Sequence, residues 1–259
     1  MFRSLVAIVA LAAVGPLAAC GAGPDAATRE PAQAGVQPDP GFLSPPQASE
    51  VRVAGGEILL TGSAPAGGQV RLATPAGQAI AATADAAGRW TLRLPLGGPP
   101  QVYGLSTQSD GRRVQGQGYL LVAADGKAAL LRSGVGAVRL DRIAGPSITA
   151  FDFDREGAAV VSGQAPPGSA LSLRIDGRQL AEGAADAAGR FHLALPAPIT
   201  RGSHRLQVVG DGFGLEARVE VSPAPALTPG PFRGRTTPGG VRADWITPGG
   251  GVQSTLILG

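Results

Sequence analysis

The sequence predicts an all-β protein built of two tandem sandwich units, and three observations carry that expectation. Short runs of residues alternate apolar and polar, Gly and Pro punctuate the runs, and a block of about 100 residues occurs twice. With 40 Gly, 23 Pro and only 16% charged residues the chain has, on composition alone, the look of low complexity. The alternation argues instead for many strands, each with one face to bury. A length of 259 residues accommodates two ordinary domains.

Residues 1–19 read as a leader. Met1-Phe2-Arg3 is a small basic start, residues 5–14 are apolar, and Leu17-Ala18-Ala19 places small residues before Cys20, the only cysteine. The apolar run is shorter than the about 20 residues that a membrane-spanning helix needs. Leu17-Ala18-Ala19-Cys20 resembles the lipobox of bacterial lipoproteins, and the resemblance implies a mature chain starting at Cys20. Its thiol would carry diacylglycerol, with palmitate-type acylation anchoring the chain to the lipid bilayer. Gly21 stands where Asp commonly marks inner-membrane retention, so the same resemblance implies the outer membrane, facing the periplasm. With Cys20 lipidated no thiol is left for a disulfide, and stability must come from packing.

Residues 20–50 are expected to form a disordered tether. Pro24, Pro31, Pro38, Pro40, Pro45 and Pro46 stand among Ala, Gly and Gln with no periodic apolar face. As extended polyproline the segment reaches roughly 90 Å.

Residues 51–146 and 147–259 are the two units. Gly62-Ser63-Ala64-Pro65-Ala66-Gly67 recurs as Gly163-Gln164-Ala165-Pro166-Pro167-Gly168, and Ala84-Asp85-Ala86-Ala87-Gly88-Arg89-Trp90 recurs as Ala185-Asp186-Ala187-Ala188-Gly189-Arg190-Phe191. One offset, 101 positions, relates both pairs and also carries Leu105 onto Leu206. Further on the register slips by two, so that Val138-Arg139-Leu140-Asp141-Arg142-Ile143 matches Val241-Arg242-Ala243-Asp244-Trp245-Ile246. Duplication explains such a pattern. Within the units Trp90, Leu92 and Leu94 alternate with polar neighbours, as do Leu171, Leu173 and Ile175, and as do Leu215, Ala217, Val219 and Val221. Asp110-Gly111, Asp125-Gly126, Asp176-Gly177 and Asp211-Gly212 are hairpin dipeptides. Asp85-Ala86-Ala87-Gly88 and its copy suit type I turns. Seven or eight strands per unit with a turn every 8 to 12 residues is the pattern of an immunoglobulin-like sandwich. The repeated strings resemble bacterial Ig-like repeats, which in some proteins precede LysM peptidoglycan-binding modules. The resemblance covers residues 55–122 and 156–222 and implies a spacer or adhesive role; no LysM-like segment lies in this sequence.

The charge pattern argues against nucleic acid as a partner. A net charge of +3 comes from arginines scattered along the chain, with Lys127 the sole lysine. Of the two histidines, His192 alternates with Phe191 and Leu193 and is expected to face solvent. His204 is expected at a partly buried strand start. Neither lies in a metal-ligand or nucleophile motif, and Gly-x-Ser-x-Gly is absent. No catalytic residue and no cofactor are therefore assigned, and the chain is read as no enzyme. Asp152, Asp154 and Glu156 are calcium candidates, since alternate carboxylates share one strand face. With Phe151 and Phe153 claiming the inside, the acids are placed on the solvent face. Trp90 and Phe191 should fill equivalent core positions. Trp245, matched by Arg142, is the one candidate ligand-contacting residue, with sandwich-rim burial as the other reading. The β-prone segment 252–258 either folds back onto the edge of the second unit or pairs with a partner's sheet. Together these readings predict a non-enzymatic envelope module for binding or scaffolding, with an envelope protein or peptidoglycan as partner. The alternatives are carbohydrate or peptidoglycan recognition, or an accessory role in an envelope enzyme or secretion complex.

Overall fold

The computed structural model describes residues 43–259, which form one compact unit. Cys20, the leader and residues 20–42 of the predicted tether lie outside the described residues. Every regular element among the described residues is a strand.

The first repeat contributes ten: β1 (Gln47–Ala54), β2 (Glu57–Ser63), β3 (Gln69–Ala73), β4 (Ala79–Thr83), β5 (Arg89–Pro95), β6 (Gln101–Ser109), β7 (Arg112–Gln115), β8 (Tyr119–Val122), β9 (Ala128–Leu131) and β10 (Val138–Arg139). The second contributes β11 (Ser147–Asp154), β12 (Ala159–Gln164), β13 (Ala170–Ile175), β14 (Arg178–Ala184), β15 (Arg190–Ala194), β16 (Gly202–Gly210), β17 (Phe213–Val221), β18 (Phe232–Thr237), β19 (Gly240–Ile246) and β20 (Val252–Leu258). β1 takes in Gln47 to Glu50, which composition alone leaves to the tether. Their side chains carry no apolar alternation, and backbone pairing of Gln47 with Ser63 holds them in the sheet.

Each repeat closes a sandwich in the immunoglobulin-like manner, with its first, second and fifth strands in one sheet and its fourth, third, sixth and seventh in the other. The pairings are β1-β2-β5 against β4-β3-β6-β7, and β11-β12-β15 against β14-β13-β16-β17. Alternation sets the cores. Val51, Ile58, Leu60, Val70, Leu72, Trp90 and Leu92 fill the first, and Phe151, Phe153, Val161, Leu171, Leu173, Phe191 and Leu206 fill the second. Trp90 and Phe191 occupy equivalent places. A Cβ on Gly62 would come within 2.4 Å of the Trp90 ring, and one on Gly163 within 2.4 Å of the Phe191 ring. Only glycine lets the ring lie flat on the neighbouring strand.

The turns repeat as faithfully. Asp85 Oδ1 accepts the N–H groups of Ala87 (2.9 Å) and Arg89 (2.8 Å). Asp186 accepts those of Ala188 and Arg190 at the same two distances. These hydrogen bonds to the charged form hold both carboxyls below the ordinary aspartate range. Of the four hairpin dipeptides, Asp110-Gly111 and Asp176-Gly177 have positive φ at both residues, the two-residue turn expected of them.

The structure departs from the sequence expectation after the seventh strand, where each repeat adds three more. In the first repeat β8-β9-β10 extend from the early half of β6, while β7 pairs with its later half. In the second repeat β20 inserts between β11 and β19, and β18 closes the edge, giving the order β15-β12-β11-β20-β19-β18. The C-terminal strand thus pairs within the chain, and as an interior strand rather than at an edge.

Candidate functional site at the seam between the units

The added strands form a third hydrophobic core that belongs to both repeats. The β8–β9 hairpin turns Leu120, Val122 and Ala128 toward the first core, and Leu121, Ala123, Ala129 and Leu131 toward the second repeat. There they meet the outer face of the six-stranded sheet, through Ala150, Val241, Ala243, Trp245 and Ile257. A strand buried on both faces reads as an unbroken apolar run, which is what Tyr119-Leu120-Leu121-Val122 and Ala128-Ala129-Leu130-Leu131 are.

The seam also buries a polar network, and it overturns the solvent-face placement of the three acids. Asp152 is 3% exposed. Its Oδ2 accepts the N–H of Ala137 from the first repeat at 2.8 Å, and its Oδ1 accepts Gln253 Nε2 at 3.0 Å and the Thr255 hydroxyl. Gln253 in turn accepts the Gly134 N–H and donates to the Arg132 carbonyl. Trp245 Nε1 completes the chain by donating to Thr255 Oγ1 at 3.2 Å. Phe151 and Phe153 do claim the inner face, as alternation requires, but the opposite face is covered by the neighbouring repeat. Burial pushes the Asp152 carboxyl above the ordinary aspartate range, against the pull of its three hydrogen bonds.

Asp154 turns away from this network to accept the Ala158 N–H, and Glu156 is exposed in the following turn. The structure therefore does not bring Asp152, Asp154 and Glu156 together. Among the described residues no group of three or more His, Cys, Asp or Glu side chains is placed to hold a metal ion.

Trp245 is 2% exposed and meets Tyr119 edge to face, ring centroids 5.7 Å apart. A cleft of about 260 Å³ opens beside this pair, between Pro75, Val102, Pro231 and Ile246. Trp245 and Tyr119 both line it, but at 2% exposure the indole has almost no surface open for a sugar to stack on.

The histidines separate in character. His204 presents Nδ1 to Asp176 Oδ2 at 2.7 Å and Nε2 to the Thr200 carbonyl at 2.9 Å. Two acceptors require two donors, which only the imidazolium supplies. Burial lowers its pKa, but the Asp176 and Thr200 hydrogen bonds with the charges of Asp176 and Glu220 outweigh it, and the net shift is upward. His192 crosses the seam instead. Arg132 of the first repeat donates to its Nε2, leaving Nδ1 to bond Ser162 Oγ at 2.9 Å. Burial, then the charges of Arg132 and Arg190, lower its pKa.

Opposite pH dependences follow. The His204 contribution is complete below the ordinary value of 6.5 and is lost as pH rises through its elevated folded pKa. His192 favours the fold above 6.5, and its contribution is lost as pH falls through its depressed folded pKa. NMR titration of the two imidazoles is expected to place His204 above 6.5 and His192 below it; the reverse order would mean that neither pairing persists in solution.

Sequence reading missed Arg242 and Asp244, which form a buried ion pair, side chains 2% and 1% exposed, at 2.8 Å. Arg242 also donates to Ser222 Oγ, the Ser222 carbonyl and Ser254 Oγ, and lies over the Phe153 ring. Its copy, Arg139–Asp141, makes the same contact at 2.8 Å and donates to the Leu258 carbonyl, tying β20 to the first repeat. The signal was present in the sequence: Val-Arg-x-Asp occurs in both repeats, and its Arg and Asp share a strand face.

No protein-family model matches the chain, and no curated protein does. Among solved structures, the chain is similar to the BSP domain of a biofilm-associated protein (16% identity over 70% of this chain and 30% of that one, TM-score 0.26). It is also similar to the central fibronectin-III array of RIM-binding protein (14% identity over 79% and 72%, TM-score 0.26) and to a two-domain fibronectin type-III segment of chicken tenascin (16% identity over 69% and 100%, TM-score 0.22). This chain thus spans less than a third of the biofilm-associated chain.

Proposed function

We propose that this chain is a lipid-anchored module of the bacterial cell envelope, held on the outer membrane through Cys20 and facing the periplasm. Its two sandwiches serve as a non-enzymatic platform for binding or scaffolding. The observation that carries the platform reading is the seam. Residues that in a string of independent repeats would face water are here packed together, with Asp152, Gln253 and Arg139 fastening loop to strand across the junction. Two sandwiches fixed in one orientation suit presentation of a surface better than they suit a flexible spacer. The anchoring reading is supported by Leu17-Ala18-Ala19-Cys20 and by the proline-rich stretch that follows.

Metabolic labelling with a tagged fatty acid is expected to mark the wild-type chain and not Cys20→Ala, which should leave the membrane fraction or remain an unprocessed precursor. Label persisting in the variant overturns the anchor. Pull-down from detergent-solubilised envelopes, with and without muramidase, tests the platform. A partner recovered in both supports a protein-binding role, and a partner lost on digestion assigns the binding to peptidoglycan instead.

A further inference from the structure

Every open sheet presents edge strands with unpaired backbone groups, and charged side chains are the common protection against pairing with another chain. The described sheets end in β1, which the Leu140–Asp141 segment bridges at Val51, and in β5, β4, β10, β15, β18, β14 and β17, with β7 as a ninth edge beside β6. Eight of these nine carry at least one Arg or Glu. β4, Ala79-Ile80-Ala81-Ala82-Thr83, carries none. Its counterpart in the second repeat, β14, carries Arg178 and Glu182, and the offset that relates the repeats places Glu182 on Ala81. One copy of the same strand is guarded and the other is bare.

The geometry of β4 fits it to pair with itself. The Ala84 N–H donates to the Gly68 carbonyl (2.9 Å) and the Thr74 N–H to the Gln78 carbonyl (2.8 Å), so even-numbered residues of this strand bond inward to β3. Antiparallel alternation then turns the N–H and C=O groups of Ala79, Ala81 and Thr83 outward. We propose that two copies of this chain join antiparallel through β4, about a two-fold axis at Ala81, to form one continuous sheet. In that register Ala79 faces Thr83 of the other copy and Ala81 faces Ala81, and all outward groups of the three residues find partners. Ile80, exposed by 36%, is covered by Ala82 across the axis. Small side chains leave the approach open, and no like charges meet. Arg71, which pairs with Ala81 from β3, is kept from its copy by two strands, about 14 Å, beyond the screening length of about 8–10 Å. A five-residue edge buries less than the about 1,200 Å² at which stable complexes begin, so this dimer depends on concentration.

Cross-linking and sedimentation of the full chain in detergent test the pairing. A directly opposed backbone-bonded pair has Cα atoms about 5.5 Å apart, within disulfide range. Ala81→Cys is expected to form disulfide-linked homodimers on mild oxidation faster than Glu182→Cys or the wild type, whose only cysteine is Cys20. Ala81→Glu restores the guard of the second repeat and should weaken self-association by at least about ten-fold. Mixing Ala81→Glu with Ala81→Lys should bring it back, which a misfolded variant would not do. The proposal is overturned if Ala81→Cys cross-links no faster than Glu182→Cys, if it cross-links to a different protein instead, or if Ala81→Glu associates like the wild type.

Discussion

A chain ending at Gly251 is expected to lose the folded second repeat and the seam together. β20 pairs along five residues with β11 and along seven with β19, and β19 reaches the rest of the sheet only through it. Removing it takes Leu256 and Ile257 out of two different cores and leaves Asp152 without the donors Gln253 and Thr255. Each large buried aliphatic lost costs about 2–5 kcal/mol, and each orphaned polar group about 1–3 kcal/mol. The β18–β19 hairpin is cut adrift as well. The sum rivals the 5–15 kcal/mol that typically stabilises a domain. Near-UV circular dichroism and thermal unfolding should show loss of cooperative structure, with hydrogen exchange collapsing first across β11, β18 and β19. Thr255→Pro, which removes one interior N–H and the hydroxyl that bonds Asp152 and Trp245, is the milder form, expected to cost about 1–3 kcal/mol for each buried polar group left unpaired. An unchanged melting transition in the truncated chain would mean that β20 does not occupy the middle of the sheet.

The second large effect is expected at Arg242. Replacing it with Met leaves Asp244, which is 1% exposed, buried without a counter-charge. Breaking one side of a buried pair costs about 3–5 kcal/mol, whereas removing both charges together is often close to neutral. Arg242→Met should therefore lower the melting temperature by roughly 6–20 °C at about 2–4 °C per kcal/mol, and Arg242→Met with Asp244→Leu should recover most of that loss. The same change in the first repeat, Arg139→Met, should cost less, because Asp141 is 18% exposed and water replaces part of what it loses. A double variant as unstable as the single one would show that the arginine acts through packing against Phe153 and Ser222 rather than through charge.

The repeated turns, the core pair Trp90 and Phe191, and the inward alternation of β5, β13 and β15 were legible because each depends on neighbours a few residues away. A type I turn needs an Asp and a Gly at a fixed spacing, and a half-buried strand needs period two; both are local facts. Asp152 was not legible in this way. Period-two logic places it opposite Phe151 and Phe153, and that much holds. The same logic then calls the opposite side solvent, and only a long-range contact, β8–β9 laid across β11 and β20, makes it a second interior. A faint trace existed in the chain. Val241, Ala243, Trp245 and Ile257 are too apolar for an outer face, as are the unbroken runs in β8 and β9.

By itself, then, the sequence determined that this chain is all-β, twice repeated, with turns at named dipeptides and a core set by alternation. These properties follow from covalent geometry and the hydrophobic pattern, which act over one strand or one turn. Only the tertiary structure decided that β20 lies between β11 and β19, that a third core joins the repeats, and that Asp152 and Arg242 are buried. A strand's two faces are fixed by its own residues, but whether each face meets water or protein depends on which other surface is packed against it, and that partner can lie more than a hundred residues away.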